Sequence, residues 1–182
     1  YSREDIDSQP LRGIFRPVAR GQLSVTLFAM RKQAFLSAHR AYREALAPHE
    51  GERFFQVVLE HTDLFVTAEE DLSSPMLDYV RQLRSELKTH MLLNPGFRES
   101  LVPYPTPESA PLVARMMAQA AEAVGVGPFA AVAGTFAHLV AERFAPQSPN
   151  LIVENGGDIT MHSTRERIVA RLADPADPEN GA

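Results

Sequence analysis

Two periodicities of apolar residues divide the chain. Alternation of Leu23, Val25 and Leu27 with Ser24 and Thr26 predicts a half-buried strand, and residues 34–46 predict a helix stopped near Pro48. Phe54, Phe55, Val57, Val58 and Leu59 lead through His61-Thr62-Asp63 to Leu64, Phe65 and Val66, the pattern of a hairpin. Helical spacing then takes over. Ser73-Ser74-Pro75 supplies a capping hydroxyl and a proline near the first helical position, and Leu77, Val80, Leu83, Leu87 and Met91 form a stripe that Asn94-Pro95-Gly96 ends. The proline-rich stretch 102–107 has neither period and predicts extended surface chain, a rigid spacer or a pocket cover. Ser109-Ala110-Pro111 opens a second amphipathic helix with Leu112, Val113, Met116, Met117, Ala120 and Val124, stopped at Gly125. Residues 129–144, apolar nearly all round, predict a helix buried on most sides, with His138 as a core or interface side chain.

After that helix comes Asn150-Leu151-Ile152-Val153-Glu154-Asn155-Gly156-Gly157-Asp158-Ile159-Thr160-Met161, an apolar strand that runs into polar residues and a glycine pair and then turns apolar again. Two readings fit it. Asn-Gly is a strong hairpin signal in its own right, and the glycines supply the positive φ that a tight turn demands. The second reading is functional, because Glu154 and Asp158 flank the glycines at the mouth of a strand apolar enough to desolvate them, and desolvated carboxylates take partners.

Composition narrows the classes. The chain has 182 residues, 45% of them hydrophobic, enough for one soluble domain with a sizeable core. Eighteen basic against 23 acidic side chains give a formal charge of −5, which supplies no field that attracts nucleic acid or an anionic membrane. The arginines between Arg3 and Arg31 make the beginning locally basic, and a solvated edge accounts for them. Cysteine is absent, so disulfides, thiolate nucleophiles and cysteine zinc sites are excluded, in keeping with a cytoplasmic setting. No apolar run approaches the roughly 20 residues of a membrane span. The start at Tyr1 has no export-signal pattern and suggests an excerpt or a processed chain. The polar stretch 174–182 has the composition of a mobile tail, and no core element is expected after Met161.

Gly125-Val126-Gly127-Pro128 leads into the buried helix, where main-chain amides and the helix dipole together attract phosphate without a lysine. The run matches neither the dinucleotide fingerprint nor the phosphate loop. Ala130, Ala131, Ala133, Gly134 and Ala137 leave room for a packed element or a planar cofactor. Main-chain donors near Gly127 and the acidic bend at Asp158 are expected to face one hollow that receives a phosphorylated ligand.

Val126-Gly127-Pro128-Phe129-Ala130-Ala131-Val132-Ala133-Gly134-Thr135, followed by Leu151-Ile152-Val153-Glu154-Asn155-Gly156-Gly157-Asp158-Ile159, resembles the ApbE-like superfamily, and more narrowly an uncharacterised branch of it. His61-Thr62-Asp63-Leu64, Asn94-Pro95-Gly96-Phe97 and Ala110-Pro111 fit the same pattern, so the likeness runs from Phe54 to Met161. Characterised members of that superfamily are magnesium-dependent FAD:protein FMN transferases, which split FAD and attach FMN to a threonine or serine of a target protein. The resemblance implies a single ApbE-like α+β domain over residues 1–182, with a mixed or antiparallel sheet packed with helices. Residues 1–50 match poorly, and the C-terminal end is incomplete by this reading. FAD or FMN is the implied cofactor and magnesium the implied metal, its ligands unassigned; the implied partners are a small-molecule nucleotide and a protein acceptor. The implied cofactor-binding residues are Gly125, Val126, Gly127, Pro128, Phe129, Ala130, Ala131, Gly134 and Thr135, with Asn155, Gly156, Gly157 and Asp158. Asp158 and Glu154 are the candidate catalytic carboxylates.

The chain departs from the transferases in two places. They carry a lysine-glycine pair where this chain has Gly127-Pro128, and their metal-binding helix beyond the glycine turn has no counterpart after Met161. Phosphoryl transfer needs charge neutralised at the transferring phosphorus, which one carboxylate pair does not supply. Three readings therefore stand: a flavin nucleotide transferase, a non-catalytic module for a nucleotide or small anionic metabolite, and a structural domain that forms a homodimer through its small-residue helix. The chemistry of characterised members ranks the first ahead.

Overall fold

The computed structural model describes residues 48–167. The strand expected at 23–27, the helix expected at 34–46 and the tail at 174–182 lie outside the described residues. Strands β1 (Arg53–Leu59) and β2 (Thr62–Ala68) form the expected hairpin, turned at Glu60, whose φ is 54°. Helices follow: α1 (Ser73–Leu93), the single turn α2 (Pro95–Glu99), α3 (Leu112–Glu122), a 3-10 turn (Pro128–Ala131) and α4 (Val132–Phe144). The chain returns as β3 (Leu151–Asn155) beside β2 and β4 (Asp158–His162) beside β3. The fold is α+β, with a four-stranded sheet in the order β1-β2-β3-β4 and every neighbouring pair antiparallel.

Pairing register explains where the core sits. Val57 lies opposite Leu64, and Val66 opposite Val153, so alternate residues of three strands share one face. Those four side chains and Leu151 are at most 2% exposed. Helix α1 packs on β1 and α4 on β3 and β4, while α3 rests on both helices. Helix α1 buries Met76, Val80, Leu83, Leu87 and His90, a stripe displaced slightly from the expected one, with Leu77 and Met91 only partly buried. No serine hydroxyl caps α1; the Asp71 carboxylate accepts the Ser73 amide at 3.0 Å instead. Helix α3 buries Val113, Met117 and Ala121, spaced four apart on one line, and leaves the flanking Leu112 and Val124 in solvent. The expected single helix over 129–144 is broken at Val132, because Pro128 opens a tighter 3-10 turn ahead of α4.

Beyond β4, residues 163–167 run back past the starts of β3 and β1. The Glu52 carboxylate, with no exposed surface, accepts from Arg167 and pairs with Arg165 at 3.2 Å. Asn150 ties the same strap down: its Oδ1 accepts from the Thr164 amide at 3.0 Å and its Nδ2 donates to Glu69 at 2.8 Å. Among the described residues no helix is long and apolar enough to cross a membrane.

Candidate functional site

The Glu-Asn-Gly-Gly-Asp turn is a two-residue hairpin with Asn155 opposite Asp158. Gly156 and Gly157 have φ of +64° and +101°, the left-handed pair that the right-handed twist of the strands requires. Both flanking carboxylates are occupied in distinct ways. Glu154, 6% exposed, curls across the turn, and its Oε1 accepts the Gly157 amide at 2.7 Å. Asp158 shares with Asn155 the face that α4 covers. Its carboxylate accepts the backbone amide of Gly134, and a Cβ placed on Gly134 would sit 3.4 Å from its Oδ2. Asn155 completes the junction by donating from Nδ2 to the Ala133 carbonyl at 3.0 Å.

The first turn of α4, which no side chain of its own caps, is thus capped from the start of β4 by Asp158. Burial pushes the Asp158 carboxyl above the ordinary carboxylate range; the Gly134 amide opposes this, and the nearby Glu154 charge adds to it. Among the described residues Asp158 has no cationic partner.

The sequence-predicted site residues separate into two groups. Gly134, Asn155, Gly156, Gly157, Glu154 and Asp158 come together where the hairpin tip meets α4, with Thr135 buried one residue further along the helix. The glycine link before α4 serves mainly to end α3. Gly125, with φ of +72°, donates its amide to Glu122, and Val126 donates to Ala121, the paired bonds of a left-handed helix cap. Gly127 and Pro128 are buried, and a Cβ on Gly127 would lie 1.7 Å from the Ser100 carbonyl oxygen. Gly127 therefore permits close backbone packing and does not present an open anion loop. Convergence with the acidic bend occurs instead at Gly134, whose amide Asp158 itself takes up. Phe129, 37% exposed, and the exposed Ala130 remain on the surface, and Ala131 is the residue before α4.

A separate hollow of about 230 Å³ lies between the end of α1 and residues 107–111. His90 on its wall packs edge-on to Phe97 at 4.7 Å, and burial pulls its pKa down, as expected for a core histidine. Among the described residues no group of three or more His, Cys, Asp or Glu side chains is placed to hold a metal ion.

A family model with the description "AbpE bacteria" matches residues 43–182. The UPF0280 protein MK0206 of Methanopyrus kandleri is 39% identical over 127 residues, covering 69% of this chain and 52% of that protein. The UPF0280 protein of Methanosarcina acetivorans is 38% identical over 102 residues, 56% of this chain and 40% of its own length. That of Methanocella arvoryzae is 38% identical over 116 residues, 63% and 47%. The chain spans about half the length of the curated relatives it matches.

Proposed function

The chain belongs to the AbpE bacteria family, and we propose that it is the flavin nucleotide-binding part of a transferase of the FAD:protein FMN type, with the site where the β3–β4 tip meets α4. The observation that carries the reading is Asp158: a half-buried carboxylate held at a helix N-terminus beside a second carboxylate, without a cation among the described residues. Capping α4 accounts for a polar side chain there but not for burying a charge beside a second carboxylate, and such groups concentrate at functional sites.

The donor chemistry fits magnesium as an ion shared with a ligand. Magnesium is commonly held by one or two carboxylates, with phosphate oxygens and water completing its shell, so the lack of a third side-chain ligand is compatible with it. Asp158 would hold the ion, and Glu154, tied to Gly157, would keep the turn in shape. Bound there, the ion would neutralise charge on the phosphate being transferred. Gly134 supports this assignment because its missing side chain leaves room beside the Asp158 carboxylate. The second reading, binding without transfer, draws on the occupied amides of Gly125 and Val126 and on the buried Gly127-Pro128 link, which offers no charge to a diphosphate.

Intact-mass spectrometry of the chain after incubation with FAD and magnesium separates the readings. Covalent gain of FMN, by the chain or an added acceptor protein, supports transfer. Flavin retained without covalent gain supports the binding module, and no flavin in either form overturns both.

A further inference from the structure

Both faces of the sheet are apolar, and the described helices cover one of them. The register that turns Val57, Leu64, Val66 and Val153 toward α1 and α4 turns Phe54, Val58, Phe65, Ile152, Ile159 and Met161 the other way. These six spread across all four strands: Phe65 lies opposite Glu154, Glu154 opposite Ile159, and Ile152 opposite Met161. The Phe54 and Phe65 rings meet with centroids 5.2 Å apart. Val58 is 55% exposed, the other five are partly exposed, and none of the six packs into the core beneath α1 and α4. A sheet that is apolar on both faces needs a layer on each.

The start of β1 shows where that layer comes from. The Glu52 amide donates to the His49 carbonyl at 2.9 Å, and Gly51, the third residue of this turn, has a φ of +82°. Among the described residues Glu60 alone of the non-glycines has a positive φ, so Glu50 has a negative one and the turn is of type II. It sends the chain that precedes it back along β1 in the opposite direction. Type II turns splay their arms instead of pairing them, and Pro48 has no amide to donate, so the incoming segment leaves the plane of the sheet. On the core side α1 already packs on β1, which leaves the second face. The segment expected to be helical, residues 34–46, suits it. At helical spacing Phe35, Ala38, Tyr42, Ala45 and Leu46 form one stripe, with Ser37, Arg40 and Glu44 opposite. As a helix the segment spans about 20 Å, close to the roughly 23 Å of β1. We propose that residues 34–46 dock as a helix on the second face of the sheet, so that this surface has its partner within the same chain. The inference is independent of the nucleotide reading.

The chain has no tryptophan, so one placed on the face reports on its cover. Phe65→Trp in the full chain is followed by emission maximum and acrylamide quenching, alone, with Tyr42→Asp on the docking stripe, and with Arg40→Asp on the opposite side. A blue-shifted, shielded tryptophan is expected for Phe65→Trp alone and with Arg40→Asp. Adding Tyr42→Asp should shift the emission to the red and strengthen quenching severalfold, while circular dichroism keeps the sheet signal. Should Tyr42→Asp unfold the sheet, Tyr42→Ala takes its place with a smaller shift of the same sign. A tryptophan exposed without a second change, shielding that survives the Tyr42 variants, or equal loss with Arg40→Asp overturns the proposal. Shielding lost on dilution in step with a dimer seen by sedimentation gives the face to a second copy of the chain and overturns it too.

Discussion

The two ends of the sheet hold carboxylates withdrawn from water, Glu52 fully and Asp158 by about half, and they are built in opposite ways. At the base, Glu52 sits between Arg165 and Arg167, and the hydrogen bond from Arg167 holds its carboxyl below the ordinary range. At the tip, burial pushes Asp158 above that range and Glu154 adds to the effect. Burial is common to both; the partner decides the sign. The base has the chemistry of a structural clasp between distant parts of the chain, whereas the tip keeps a carboxylate whose charge burial opposes, which the binding reading proposed above would account for.

Removing the clasp should have the largest effect. Glu52→Ala leaves Arg167, whose side chain is 5% exposed, without its carboxylate and is expected to cost about 3–5 kcal/mol in denaturant unfolding. The pH dependence has a definite sign: a lowered folded pKa gives stability that is present above the unfolded value of 4.5 and lost as pH falls through the folded value. An unfolding free energy unchanged by Glu52→Ala would dissolve the contrast between the ends.

Gly127→Ala comes next. Its Cβ would meet the Ser100 carbonyl oxygen at 1.7 Å, so the loss should reach or pass the upper end of the roughly 1–3 kcal/mol typical of overpacking. Urea unfolding measures it, and a stable variant with weakened flavin binding would show that Gly127 serves the ligand and not the packing.

Asp158→Asn should act in the reverse direction. The amide oxygen keeps the bond from Gly134 while the disfavoured charge disappears, so the variant is expected to be more stable at neutral pH. About 1 kcal/mol would raise the midpoint of a domain of this size by roughly 2–4 °C. A raised carboxylate pKa lowers stability as pH rises above the unfolded value of 3.8, so the advantage of the asparagine should fade below that pH. Scanning calorimetry across pH checks both parts. Gly134→Ala has the smallest expected effect, a gain of a few tenths to about 1 kcal/mol from helix propensity. Its Cβ lies within ordinary contact of Asp158, so isothermal titration with FMN should show weaker binding despite unchanged or greater stability.

The tip was more legible in the sequence than the base. Alternating apolar residues and a glycine pair define a hairpin locally, and β1–β2 and β3–β4 formed where that pattern placed them. The Glu52–Arg167 clasp joins residues 115 apart, which no local period reveals, and the stretch after Met161 carried no core signal although Arg167 is buried. Gly125 to Pro128 read as an anion loop because a helix cap and a phosphate loop use the same glycine chemistry. Only the tertiary contacts distinguish them: the amides of Gly125 and Val126 turn back to α3, and Gly127 backs onto Ser100. Gly134 was legible as a small residue, but the group that approaches it is Asp158.

The most direct test is the unfolding midpoint of wild type and Asp158→Asn, each with and without saturating FMN and magnesium. Ligand at 100 times its dissociation constant stabilises by about 2.7 kcal/mol, so the wild type should rise by several degrees. The account predicts that Asp158→Asn starts higher than wild type without ligand and gains little or nothing with it. A variant that starts lower, or that keeps the full ligand-induced rise, would contradict the claim that this carboxylate is held at a cost to the fold for the ligand it binds.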